Sequence, residues 1–207
     1  MRRGENVLDR LRGSLAHVLS SLGSAAAKLI PRPTAWTLIG FFFAFFAFLF
    51  YGGGHPAIAG FFVLVSGFFD VLDGAVARAT GRTSARGSFL DSTLDRVTEV
   101  VIFSGIIVGN YAAPLLVVLA LSLSLLVSYT RAKGDALGVS LAGVGIGERS
   151  ERMVVLIVAS LLSVVSLGIL IILLLALITF VQRTIKVNGA LGRPRQQDAE
   201  SPQPPSS

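Results

Sequence analysis

The chain contains no cysteine. Disulfides and thiolate metal sites are excluded, so any metal must be held by oxygen or imidazole. Charge is scarce as well: Asp, Glu, Lys and Arg make up 14% of the 207 residues. A soluble domain of this size carries roughly 25%. There are two histidines. His17 reads as an interfacial residue and His55 as a turn residue, so neither marks a metal site. No residue from Met153 to Gln182 is charged. No apolar core precedes Pro31, so no cleavable signal segment is expected.

What is abundant is apolar. Hydrophobic residues make up 53% of the chain, with a mean hydropathy of +0.74. They fall in blocks near the ~20 residues that cross a bilayer core. The pattern predicts an all-α polytopic membrane protein. Span 1 covers about Thr34–Tyr51, span 2 Ala57–Arg78, span 3 Phe89–Val108 and span 4 Leu115–Leu137. A single helix from Arg152 to Arg183 would reach about 45 Å, well beyond the hydrocarbon core. A turn near Ser163–Gly168 divides it into spans 5 and 6. Ahead of span 1, Val7, Leu8, Leu11, Leu15, Val18, Leu19 and Leu22 recur at helical spacing among polar residues. They predict an amphipathic juxtamembrane helix over 1–32 that Pro31 and Pro33 end. Residues 33–188 form the six-span domain. Residues 189–207, rich in Pro, Gln and Ser, read as a disordered cytoplasmic tail.

The net charge of +6 reads as topology rather than nucleic-acid binding. Under six spans, all 18 Lys and Arg fall on one side. The three opposite turns, near 52–56, 109–114 and 163–168, carry none. That asymmetry predicts a multi-pass cell-membrane protein with both termini and the charged loops in the cytoplasm. Trp36 reads as an interfacial anchor, and Gly138–Gly147 as a flexible loop.

Four carboxylates lie at or near membrane depth, where each is costly. Asp70 and Asp73 are i, i+3 on one span; Asp91 and Asp95 are i, i+4 on the next. The two pairs can meet across an antiparallel helix contact. Packed together they repel one another unless cations intervene. Hard oxygen donors suit magnesium, manganese or calcium rather than zinc. Arg78, beyond Asp73, offers a fork of donors to a phosphate.

The stretch from Asp70 to Asp95 reads D-x2-D-G-x2-A-R-x8-G-x3-D-x3-D, with Gly74, Ala77, Arg78 and Gly87 at the remaining fixed positions. It resembles the signature of the CDP-alcohol phosphatidyltransferase family at every spacing. The resemblance implies that a CDP-linked lipid binds with its diphosphate on two magnesium or manganese ions held by Asp70, Asp73, Asp91 and Asp95. It implies Asp95 as general base and Gly74, Ala77, Arg78 and Gly87 around the nucleotide. An acceptor hydroxyl then attacks the lipid-side phosphorus and CMP leaves. Pro33, Thr34 and Thr37 resemble the family's Pro-Asn-x-x-Thr motif, with Thr34 in the Asn position. A homodimer is also implied.

The second half resembles the inositol-phosphate branch of that family, in Ser128–Lys133, Glu148–Arg152 and Gln182-Arg183. The resemblance implies Ser128, Arg131, Arg152 and Arg183 as the seat of the acceptor's phosphate. Arg131 stands where lysine is common. The expected reaction joins a phosphatidyl or archaetidyl group, from CDP-diacylglycerol or CDP-archaeol, to inositol phosphate. Glycerol 3-phosphate or another polar alcohol is the alternative acceptor. A cation transporter is the reading from another class, since intramembrane carboxylates also mark ion pathways.

Overall fold

The computed structural model describes residues 7–192, with side chains from His17 onward. Every regular element among the described residues is a helix. In chain order they are α1 (Val7–Leu29), α2 (Pro33–Gly52), α3 (Pro56–Thr80), α4 (Ala85–Val108), α5 (Pro114–Ala136), α6 (Arg149–Leu161) and α7 (Val165–Leu191). Proline opens α2, α3 and α5. Its fixed φ suits the first turn, where its missing N–H is not needed. Ser84 caps α4 by accepting from the Gly87 amide at 3.1 Å. Gly81 ends α3 in the left-handed region at φ 63°, where a side chain would strain the backbone.

Four helices, α2, α3, α5 and α7, are long and apolar enough to cross a membrane. Their outward faces carry large apolar side chains such as Leu38, Phe42, Phe61, Leu119 and Leu174. The expected division of the final apolar run is present, with α6 ending at Leu161 and α7 starting at Val165. α6 has 13 residues, or ~20 Å, shorter than a bilayer core. α7 continues to Leu191, past the boundary expected at residue 188. The expected disordered tail from residue 193 onward lies outside the described residues.

α2, α3 and α4 form one packed group, α6 lies on α3, and α5 and α7 pair alongside. Small residues set the spacing. A Cβ on Gly105 of α4 would lie 2.8 Å from the Phe48 Cα of α2. Ala44, Ala47, Ala59, Val63, Ile102, Phe103 and Ile169 fill the core between the helices. At one end α1 packs on α3 around Ala26, Trp36, Leu72 and Val76. Trp36, expected as an interfacial anchor, is instead 9% exposed. Its indole N–H donates to the Ile30 carbonyl at 3.0 Å, and its ring stacks on Phe69.

Candidate active site

α3 and α4 are joined by the short loop from Gly81 to Ser84, and α2 packs against both. This hairpin brings the two acidic pairs together. One carboxylate oxygen each from Asp70, Asp91 and Asp95 lies within 4.8 Å of the others. Asp73 stands next to this group, 6% exposed. The buried Asp73 Oδ2 and Asp91 Oδ1 have no hydrogen-bond partner. Buried oxygens without a donor are costly, and neighbouring carboxylates make them more so. A set of aspartate oxygens with two orphaned acceptors fits a hard divalent cation.

Two cavities open on either side. One, of about 210 Å³, is lined by Asp73, Asp91, Gly74, Ala77, Arg78 and Gly87, together with Thr34, Thr37 and Arg82. All four residues expected around the nucleotide therefore share one cavity. Arg82 also donates to the Pro31 carbonyl at 2.9 Å, tying the α3–α4 loop to the α1–α2 link. The other cavity, of about 920 Å³, lies between α4, α5 and the start of α6. Its lining includes Ser128, Arg131, Arg183, Glu148, Arg149 and Asp95. Asp95 is the one signature aspartate that lines it.

Arg149 is the functional candidate that the sequence reading did not select. Its guanidinium bridges the two helices of the hairpin, 2.9 Å from Asp70 Oδ2 and 3.0 Å from Asp95 Oδ1. Arg96 reaches the other Asp95 oxygen at 3.2 Å. The available signal was the spacing of Arg149 and Arg152, i, i+3 on one helix face. Spacing alone does not say which of the two stands level with the aspartates.

Arg152, expected in the acceptor seat, is 0% exposed and does not line the cavity. It pairs with Glu99 at 2.9 Å and donates to the Gly147 carbonyl. Arg183 lines the cavity but is 2% exposed. It donates to the carbonyls of Val144 and Val127 and to Glu148. Arg131 is the most accessible of the three, with its side chain 48% exposed. The Gly138–Gly147 segment is thus anchored rather than loose: Leu141 is buried and the Gly147 amide donates to Thr179 Oγ1 at 2.9 Å. Buried backbone carbonyls need donors, and Arg152 and Arg183 supply them to this segment at Gly147 and Val144.

A family model described as CDP-alcohol phosphatidyltransferase matches residues 32–182. The chain is 35% identical over 185 residues to the archaetidylinositol phosphate synthase of Pyrococcus horikoshii, covering 89% of this chain and 98% of that one. It is 35% identical over 161 residues to the phosphatidylinositol phosphate synthase of Cutibacterium acnes, covering 74% and 77%. Among solved structures it resembles the phosphatidylinositol phosphate synthase of Mycobacterium tuberculosis in complex with manganese and citrate. The TM-score there is 0.75 at 25% identity, over 85% of this chain and 93% of that one.

Proposed function

The chain belongs to the CDP-alcohol phosphatidyltransferase family, membrane transferases of phospholipid biosynthesis, and on that premise we propose that its acceptor is inositol phosphate. The donor in this reading is CDP-diacylglycerol or CDP-archaeol, and the products are an inositol-phosphate phospholipid and CMP. Membership in a transferase family takes the place of the cation-transporter reading.

The observation that carries the proposal is Asp95, which belongs to the acidic cluster and also lines the arginine-bearing cavity. A base for the acceptor hydroxyl must touch both compartments, and a phosphorylated acceptor needs cations that four aspartates cannot provide. Arg131, Arg183 and Ser128 would hold its phosphate, with Arg149 in the place first given to Arg152. Gly74, Ala77, Arg78 and Gly87 would seat the nucleotide. Asp70, Asp73, Asp91 and Asp95 would hold two magnesium or manganese ions, which when bound neutralise charge on the donor's diphosphate. Asp95 would take the proton of the attacking hydroxyl. The new bond forms between that oxygen and the lipid-side phosphorus. The bond to CMP breaks, and CMP keeps the electron pair.

In the same reading α4 and α6 complete a six-span bundle, α1 lies along the membrane surface, and the site opens to the cytoplasm. The test is CMP release by purified protein with manganese or magnesium, offering either CDP-lipid. Release should be strongest with inositol phosphate, weaker with glycerol 3-phosphate, and absent with serine or free inositol. Release only with serine or free inositol would overturn the acceptor assignment.

A further inference from the structure

Glu148 and Arg149 are consecutive residues that enter two different sites, each with the sign of charge that the site's own ligand would carry. Glu148 Oε1 lies 3.0 Å from Arg183 Nη2 and 3.8 Å from Arg131 Nη1, in the cavity assigned to the acceptor. One carboxylate oxygen between two guanidinium groups occupies the place a phosphate oxygen would take. Arg149 does the converse. Its guanidinium lies on Asp70 and Asp95 among the carboxylates that fit a divalent cation. The backbone that presents both is fixed. Glu148 is the N-cap of α6, and a capping box with Glu151 holds that turn.

We propose that the Glu148-Arg149 pair is an internal stand-in for the acceptor phosphate and the divalent cation, and that it makes the two ligands bind cooperatively. The inference rests on the acceptor reading given above. A cation that takes Asp70 and Asp95 displaces the Arg149 guanidinium towards the acceptor cavity, whose wall it already forms. That adds positive charge where a phosphate enters. A phosphate that takes Arg131 and Arg183 displaces Glu148, loosening the turn from which Arg149 projects. By linkage each ligand raises the affinity of the other by the same factor. Glu148 also sets specificity. A phosphate dianion competes with a carboxylate monoanion for two arginines, whereas an unphosphorylated alcohol has nothing to displace it with.

The full chain in phosphatidylcholine nanodiscs, without CDP-lipid, tests this by binding alone. The probes are manganese, followed by electron paramagnetic resonance, and inorganic phosphate, followed by calorimetry, at concentrations that keep both dissolved. Manganese should tighten phosphate binding about five-fold or more. Glu148→Gln should tighten phosphate without metal, and Arg149→Gln should tighten manganese. In the double variant the coupling factor should fall to about one. Glu148→Asp separates contact from field. It keeps the charge and the helix cap but withdraws the oxygen from Arg183, so it too should tighten phosphate. Phosphate affinity unchanged in Glu148→Asp, or coupling that survives in the double variant, overturns this inference and leaves the acceptor reading standing. Absence of phosphate binding in every variant overturns both.

Discussion

Arg152 and Glu99 form an ion pair with no solvent access on either side. Such a pair stabilises less than its contact distance suggests, because both charges leave water to form it. Glu99 Oε2 and Arg152 Nε have no partner at all. What the pair secures is local: Arg152 donates to the Gly147 carbonyl just ahead of α6. Removing one partner is a different matter from removing both. Arg152→Met should strand the Glu99 charge and destabilise the protein by about 3–5 kcal/mol. Thermal unfolding in detergent, followed by circular dichroism, would show this as a lower midpoint. Adding Glu99→Gln to Arg152→Met should recover much of the loss. A midpoint unmoved by Arg152→Met would mean that Glu99 finds another partner. The carboxylate's position was legible in the sequence, since Glu99 follows Asp95 by one helical turn. Its partner was not, because three arginines at the ends of separate spans looked equivalent until the contacts of each were known.

Among elements, α1 shows how a segment outside the signature can govern it. Gly23 meets α3 so closely that a Cβ there would lie 2.7 Å from the Ala75 carbonyl carbon. Ala75 sits two residues beyond Asp73, and Leu72 and Val76 pack under α1 and Trp36. α1 therefore backs the turn that aims Asp73 into the cavity lined by Gly74, Ala77 and Arg78. Gly23→Leu should lift α1 from that surface. Trp36 is the chain's one tryptophan, so its fluorescence reports the event without labelling. The emission should shift to the red, and manganese affinity should fall by severalfold while helix content holds. Unchanged emission would mean that α1 tolerates the side chain by sliding. The helix itself and its end before Pro31 were legible from amphipathic spacing and proline. Its docking was not, because one small residue in a polar segment does not announce a close contact. The starts of α2, α3 and α5, each within one residue, and the break between α6 and α7 were legible for the same kind of local reason.

At the scale of the whole molecule, charge and helix direction make one arrangement testable from end to end. α2 runs from the end that carries the charged loops to Gly52, and α3 returns from Pro56. α4 and α5, then α6 and α7, repeat this, so the turns near His55, Ala113 and Leu162 share one end. The α3–α4 loop and the Gly138–Gly147 segment share the other. All 18 Lys and Arg were assigned to that second side from sequence alone, and positive residues resist translocation. The absence of cysteine lets single cysteines be read without background. His55→Cys, Ala113→Cys and Leu162→Cys stand at exposed turn positions; Thr83→Cys and Ala142→Cys stand at exposed positions of the opposite end. In intact cells a membrane-impermeant maleimide should label the first three and spare the last two until the membrane is permeabilised. Labelling of Leu162→Cys from the cytoplasmic side would mean that α6 and α7 do not form a pair of spans. Labelling of Thr83→Cys from outside would invert the molecule and put the aspartate hairpin on the wrong side for a cytoplasmic CDP-lipid headgroup. The two outcomes separate an error in the count of spans from an error in orientation, because only the second moves the acidic cluster.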